Sequence, residues 1–259
     1  MPLHAADALV LRTYKLGEAD RIVVFLTADR GKRRGVAKGA RRPRSRFSGA
    51  LEPMTRGRVA YFERERRDLV RLRYVEPSCS PLASGSAEAL AHVGYFAELI
   101  DEWAPEADPN ETLFRLGASV GESLASGAPV ERLARYFEYW LLRLQGVYPA
   151  SAACGRCGGD LGGGARLDAA AGTLVCRACD PLDEGSGLSG AAIRFLRAAR
   201  ETAPAALGDV ELPPPADREL AGMHQRLITS HLEKDLKSLR VLRVLAGAAR
   251  TAAPARTRP

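Results

Sequence analysis

Four cysteines stand as two pairs, Cys154-x2-Cys157 and Cys176-x2-Cys179, with 18 residues between the pairs. A Cys-x-x-Cys turn aims two thiolates at one point, and two such turns supply the four soft ligands that a tetrahedral Zn²⁺ takes. The turns contain Gly155-Arg156 and Arg177-Ala178, and Gly155, Gly158 and Gly159 ease the tight backbone. Four protein ligands leave no open coordination position, so the spacing predicts one structural zinc ion rather than a catalytic one. A disulfide framework belongs to secreted chains, and the N-terminus MPLHAADALVLRTYKLGEAD lacks a secretory signal. A redox Cys-x-x-Cys would need a flanking βαβ pattern, which is absent. Cys79 stands alone and reads as a small core residue or a bystander.

A second group could bind anions. Residues 30–46 read RGKRRGVAKGARRPRSR, nine Lys or Arg with no acid: Arg30, Lys32, Arg33, Arg34, Lys38, Arg41, Arg42, Arg44 and Arg46. Charge at this density repels itself unless an anion is present. A polyphosphate releases condensed counterions as each phosphate is neutralised, and guanidinium forks fit phosphate oxygens bidentately. The competing reading is a solvated basic loop. The distribution of charge favours nucleic acid. Residues 1–78 hold 19 Lys+Arg against 9 Asp+Glu, whereas residues 79–259 hold 19 against 22, so the whole excess of +7 resides in the N-terminal third.

The elements that must carry these groups follow from pattern. Ala8 to Tyr14 and Arg21 to Thr27 are rich in β-branched and aromatic residues, and Lys32 to Lys38, Arg56 to Phe62 and Leu69 to Val75 add three more strands. Ala28-Asp29-Arg30-Gly31 is a tight turn. Gly39 to Pro53 reads as an extended loop. In the last strand Leu69, Arg71 and Arg73 alternate with Val70, Leu72 and Tyr74, one face buried and one basic. Five short strands in about 75 residues predict an OB-type barrel, whose open face and loops bind oligonucleotides. Tyr61, Phe62, Phe47 and Tyr74 are candidates for base stacking, Phe47 foremost because it lies in the basic loop, although most aromatics of a small barrel are core.

Beyond residue 78 the periodicity is helical. Helices are expected over Ala87–Trp103, Thr112–Ala125, Val130–Gln145, Leu188–Arg200 (capped by Ser189) and Arg218–Ala248, with GDVELPPPAD as a loop. Ala165–Asp168 and Gly172–Val175 can form a hairpin between the cysteine pairs. Leu133, Phe137, Trp140, Leu141 and Leu144 make an apolar face, beside which Arg132, Arg135, Tyr139 and Arg143 form a stripe. That stripe is either a solvated face near Glu131 and Glu138 or a seat for an acidic peptide.

The expected class is therefore α+β: an N-terminal five-stranded OB-type β-barrel (1–78), then an α-helical domain (79–150 and 184–250) with an embedded four-cysteine zinc ribbon (151–183) and a flexible tail (251–259). No phosphate-binding G-x-x-x-x-G-K-[ST] loop occurs, His4, His92, His224 and His231 are scattered, and no acid cluster suggests a two-metal nuclease, so no enzymatic activity is expected. No run of 18 apolar residues is present, which predicts no membrane partner and a cytoplasmic protein. A second reading is an RNA-binding or ribosome-associated OB and zinc-ribbon protein; a metal-dependent nucleic-acid enzyme is a third.

Taken together, ALVLRTYKLGEADRIVVFLTADRG, VAKGARRPRSRFSGALEPM and the late CGRCGG…CRACD give the chain a resemblance to the RecO family of bacterial recombination mediators over nearly its whole length. The cysteines are the weaker mark, since some members lack them. The resemblance implies binding to single- and double-stranded DNA, annealing of complementary strands, and help in loading RecA onto strands coated with single-stranded DNA-binding protein in the RecF pathway. It implies RecR, the acidic C-terminal tail of single-stranded DNA-binding protein and, in many bacteria, RecF as partners, with association with the nucleoid. By position, Lys38, Arg41, Arg42, Arg44 and Arg46 would contact DNA, and the block around Gly17, Asp20 and Arg21 would be structural.

Overall fold

The computed structural model describes residues 2–63, 69–84, 86–180 and 187–252. Along the chain run strands β1 (Leu3–Leu16), β2 (Asp20–Thr27), β3 (Gly31–Ala37), β4 (Arg56–Phe62) and β5 (Leu69–Cys79), then helices α1 (Ala87–Trp103), α2 (Glu111–Ala125) and α3 (Val130–Leu144). A hairpin of β6 (Ala165–Asp168) and β7 (Thr173–Cys176) precedes α4 (Gly190–Glu201), α5 (Pro214–Leu232) and α6 (Lys237–Ala252). Two compact units result, one of residues 1–125 with 235–259, the other of residues 126–234. This grouping differs from the expected boundary after residue 78: α1 and α2 pack with the barrel, and α6 returns to them.

The first unit contains a closed barrel of order β1-β2-β3-β5-β4, an OB-like topology in which β3 and β5 are parallel and the other pairs antiparallel. Alternation fills it from within: Ala8, Val10, Val23, Phe25, Val59, Tyr61, Val70 and Leu72 meet inside. β1 is longer than its apolar run because Leu3–Leu9 pair with β4 while Ala8–Leu16 pair with β2, across a bulge between Val10 and Arg12. Gly31 closes the β2–β3 turn with φ +67°, and a Cβ there would lie 2.1 Å from the Asp108 carbonyl oxygen, so both conformation and space demand glycine.

Residues 38–55 are not the extended loop expected. Successive backbone bonds (Arg42 to Gly39, Ser45 to Arg42, Ser48 to Ser45, Ala50 to Phe47) fold them into a chain of turns. Phe47, Ala50 and Leu51 close the end of the barrel core. Phe47 is 2% exposed and therefore a plug.

Ser86 caps α1 and Asn110 caps α2. The expected single helix over 218–248 is two. Glu233 ends α5 in the left-handed region at φ 52°, and α6 starts afresh. The start of α6 is held by Glu98 of α1, whose oxygens accept the N–H groups of Lys237 (3.2 Å) and Ser238 (2.8 Å). Burial alone would raise the Glu98 carboxyl, but those donors and Arg12 outweigh it and hold the group below its usual range. The tail beyond residue 252 lies outside the described residues.

The second unit is built on α3, which packs on α4 and α5. Its interior contains a polar chain. Glu138 Oε2 is 2.9 Å from His224 Nδ1, and His224 Nε2 is 3.2 Å from the Tyr148 hydroxyl. Arg135 lies 3.2 Å from Glu138 and 3.4 Å from Asp217. His224 is wholly buried, and burial holds its pKa below the ordinary value. The folded protein thus binds this proton less readily than the unfolded chain, so stability is full above the unfolded value of about 6.5 and is lost as pH falls through it. The melting temperature should therefore drop between about pH 7 and about pH 5, and His224→Gln should flatten that dependence. An identical pH profile in the variant would remove His224 from the cause.

Candidate nucleic-acid interface and metal centre

The nine cations of residues 30–46 separate into two sets. Lys32 is 7% exposed. Its Nζ donates to the Asp101 carbonyl at 2.6 Å and faces the Asp101 and Glu106 carboxylates at 3.5 and 3.4 Å. Arg33 pairs with Glu63 at 3.2 Å, Arg34 with Glu106 at 2.9 Å and Arg30 with Asp29 at 3.7 Å. Lys32 is thus withdrawn from the expected contact set, and Arg33 and Arg34 already meet acids within their own unit. The cause is register: β3 lies against residues 105–107, where the Lys32 N–H reaches Pro105 and the Lys32 carbonyl receives the Ala107 N–H.

Lys38, Arg42, Arg44 and Arg46 line one concavity of about 610 Å³ with Asp20, Gly39, Pro43 and Ser45. Lys38, Arg42, Arg44 and Arg46 are all exposed. The loop is fastened beneath them. The Gly39 N–H donates to Asp20 Oδ1 at 2.8 Å, the Arg41 N–H to the Ala19 carbonyl at 2.9 Å, and Arg41 Nη1 to the Gly17 carbonyl at 2.8 Å. Arg41 therefore ties the loop to the β1–β2 turn as well as presenting charge. The Arg46 guanidinium stacks 5.0 Å above the Phe47 ring, so the buried aromatic positions a cation instead of meeting a base itself. Arg44 holds φ 59°, a left-handed conformation that costs an arginine about 1 kcal/mol and that surrounding contacts must impose.

Of the aromatics expected to stack on bases, Phe47 and Tyr61 are core. Phe62 and Tyr74 are half-buried, and Tyr14, absent from the expected set, is 46% exposed. The signal for Tyr14 is the alternation of β1, masked in sequence by the bulge after Val10. The arginines of the α3 stripe are engaged within their own unit, although Arg143 is exposed. Arg132 donates to the Leu207 and Gly208 carbonyls, Arg135 is buried against Glu138 and Asp217, and Arg143 bonds the Tyr139 hydroxyl at 2.8 Å.

The four cysteines of the two pairs converge. Their sulfurs all lie within 4.8 Å of one another, with Cys157 and Cys176 Sγ 3.7 Å apart. The turns aim backbone N–H groups at sulfur: Cys176 and Arg156 to Cys154 Sγ at 3.3 and 3.4 Å, and Gly159 to Cys157 Sγ at 3.4 Å. A Cβ on Gly155 would meet Thr173 Oγ1 at 2.4 Å, so the first knuckle closes on β7 only with glycine. The N–H of Cys176 and its neighbours lower the Cys154 thiol to about 6, while hydrogen bonding from Cys157 and Cys176 pushes Cys179 up to about 12. Four sulfurs so close cannot all ionise without a cation among them. The donor set can hold one metal ion. Cys79 lies outside it. The ribbon hairpin matches expectation within a residue, while its expected end at 183 lies outside the described residues.

No helix among the described residues is long and apolar enough to cross a membrane. Residues 1–80 match the family described as Recombination protein O N terminal, and residues 85–240 match Recombination protein O C terminal. The DNA repair protein RecO of Koribacter versatilis is 42% identical over 176 residues, covering 67% of this chain and 71% of its own. That of Anaeromyxobacter sp. (strain K) is 36% identical over 237 residues, 90% of this chain and 93% of its own. That of Geobacter sulfurreducens is 36% identical over 241 residues, 92% and 97%. With both halves matched in order and an OB-like barrel preceding the helices and cysteine knuckles, the chain belongs to the RecO family of DNA repair proteins.

Proposed function

We propose that this chain is a recombination mediator. It binds single- and double-stranded DNA, anneals complementary strands, and helps load RecA onto strands coated with single-stranded DNA-binding protein. RecR, the acidic tail of the coating protein and, indirectly, RecF and RecA are its partners. The observation that carries this reading is the concavity of Lys38, Arg42, Arg44 and Arg46, fixed on an OB-like barrel in a family of DNA repair proteins.

The mechanism needs no bond chemistry. Two phosphate backbones repel each other, and a cluster of exposed cations lowers that repulsion by displacing counterions from both. Guanidiniums hold phosphate oxygens without reading bases, so any complementary pair of strands is served. The loop turns keep the cations in place before DNA arrives, which reduces the ordering cost of binding.

The metal is read as one structural zinc ion held by Cys154, Cys157, Cys176 and Cys179. A tetrahedron with Zn–S of about 2.3 Å has sulfur–sulfur edges of about 3.8 Å. The 3.7 Å between Cys157 and Cys176 supports that reading.

The test is annealing of two complementary oligonucleotides, one precoated with single-stranded DNA-binding protein, without ATP. Acceleration that disappears when the tail of the coating protein is removed is the expected result. No acceleration at low salt despite DNA binding would overturn the mediator reading, and preference for structured RNA would replace it with an RNA-binding role.

A further inference from the structure

Lysine is rare in this chain. Five of the 38 Lys and Arg residues are lysines: Lys15, Lys32, Lys38, Lys234 and Lys237. Lys32 is buried against Asp101 and Glu106. Lys15, Lys234 and Lys237 are exposed and lie outside the concavity of the cation loop. Lys38 is exposed inside it, where the other cations, Arg42, Arg44 and Arg46, are all arginines. The difference is chemical as well as electrostatic. A guanidinium stays protonated and is no nucleophile, whereas a lysine amine can lose its proton and be acylated.

The concavity selects the kind of acyl donor that reaches this amine. Its three guanidiniums are forks for phosphate oxygens. The acid in its lining, Asp20, is committed to the fold: its Oδ1 accepts the Gly39 N–H at 2.8 Å, which also fixes the backbone next to Lys38. A charge cluster of this kind raises the local concentration of small anions beside any nucleophile it contains. The turns of the loop keep the lysine and the arginines in one short segment, so a donor recruited by the arginines arrives at the amine.

We propose that Lys38 is an acylation site whose donor is an acyl phosphate seated by Arg42, Arg44 and Arg46, and that its acylation weakens the loop's hold on nucleic acid. The proposal rests on the nucleic-acid reading of the loop and adds its regulation. In the step, the unprotonated Lys38 amine attacks the carbonyl carbon of the acyl phosphate. A C–N bond forms, the C–O bond to the phosphate breaks, and inorganic phosphate leaves with that electron pair while the amine proton passes to water. The guanidiniums stabilise the charge that grows on the departing phosphate. The product is an uncharged amide, so three of the four cations remain to face a strand. The salt slope for single strands should then move from about −2.8 to about −2.1, with affinity about fivefold to tenfold lower at about 50 mM salt.

The full chain is incubated with acetyl phosphate, and the acetylation rate of each lysine is followed by peptide mass spectrometry. Lys38 should react about tenfold faster than Lys15, Lys234 and Lys237, the lower end of the enhancement that a focused charge cluster gives an anionic reactant. Inorganic phosphate and an oligothymidylate should each suppress the reaction at Lys38 and leave the other three as they were. An uncharged donor, the N-hydroxysuccinimide ester of acetic acid, should remove the preference. The treated chain should show the shallower slope. Lys38→Arg, which keeps the charge and lacks the amine, should bind equally before and after treatment. Equal rates at Lys38 and the other exposed lysines would overturn the proposal and leave the loop standing as a contact surface. A preference kept with the uncharged donor would also overturn it, because the arginines would then have no part in the reaction. Failure of the untreated chain to bind an oligothymidylate at low salt would overturn the nucleic-acid reading and the regulation built on it, whatever the rate at Lys38.

Discussion

Changing Arg42 and Arg44 together to Glu should weaken binding of a single strand by about a hundredfold or more at about 50 mM salt, with little change in melting temperature. Both side chains are exposed on the loop concavity, and neither guanidinium is tied to the fold by an ion pair or hydrogen bond among the described residues. Four such cations predict a log–log salt slope of about −2.8 for single strands, and losing two of them should bring it to about −1.4 or flatter. Five phosphates, the number that counting Arg41 as a full contact implies, would give about −3.5. The lower figure is preferred because Arg41 already bonds the Gly17 carbonyl. Lys32→Glu is the contrasting variant. It would set a buried carboxylate against those of Asp101 and Glu106, so it should lower stability rather than the slope. Arg44→Gly separates contact from folding more sharply. Glycine accepts φ 59° without strain, so melting should hold or rise while affinity falls. An unchanged salt slope in the double reversal would remove this loop from the mechanism.

The five barrel strands, the ribbon hairpin and the cysteine cluster could be read from residue types, because each rests on local chemistry: β-branched alternation, turn glycines and thiolate spacing. The division of the basic run could not. Whether Arg34 faces solvent or an acid depends on Glu106, 72 residues away, brought beside β3 by packing alone. Phe47 misleads for a related reason. Its neighbours are charged, but the turns of residues 38–50 direct its ring into the barrel mouth. Tyr14 escapes notice because a bulge shifts the alternation of β1, and a bulge leaves no mark in a sequence without its partner strand. The α3 arginines do form a helical stripe, yet Asp217 and the carbonyls of residues 207 and 208 that neutralise it come from later elements. The continuous periodicity of 218–248 conceals a break whose cause, the docking of a helix start on Glu98, is again remote.

Cys176→Ser should abolish metal binding and unfold the ribbon, with a large fall in melting temperature, while DNA affinity in the protein that remains folded stays within about twofold. The ribbon has little else to hold it. Its hairpin has four residues in each strand, and its interior is Leu161, Ala165, Leu174, Val175 and Leu188. A two-stranded hairpin of that size is marginal in water. Structural zinc contributes about 10–16 kcal/mol of apparent binding energy in small zinc-finger peptides, so the proposed ion would be the dominant stabilising element of such a module. Cys176 is buried and brings its sulfur to 3.7 Å from that of Cys157, so its loss removes one of the four donors from the inside of the cluster. The cations of the loop belong to the other compact unit, which is why affinity should survive. Metal content measured on the unaltered chain should be one equivalent of zinc, falling to none in Cys176→Ser and unchanged in Cys79→Ser, whose sulfur is outside the cluster. Loss of DNA binding by Cys176→Ser with unchanged melting would reverse the assignment, making the knuckles a contact surface rather than a staple.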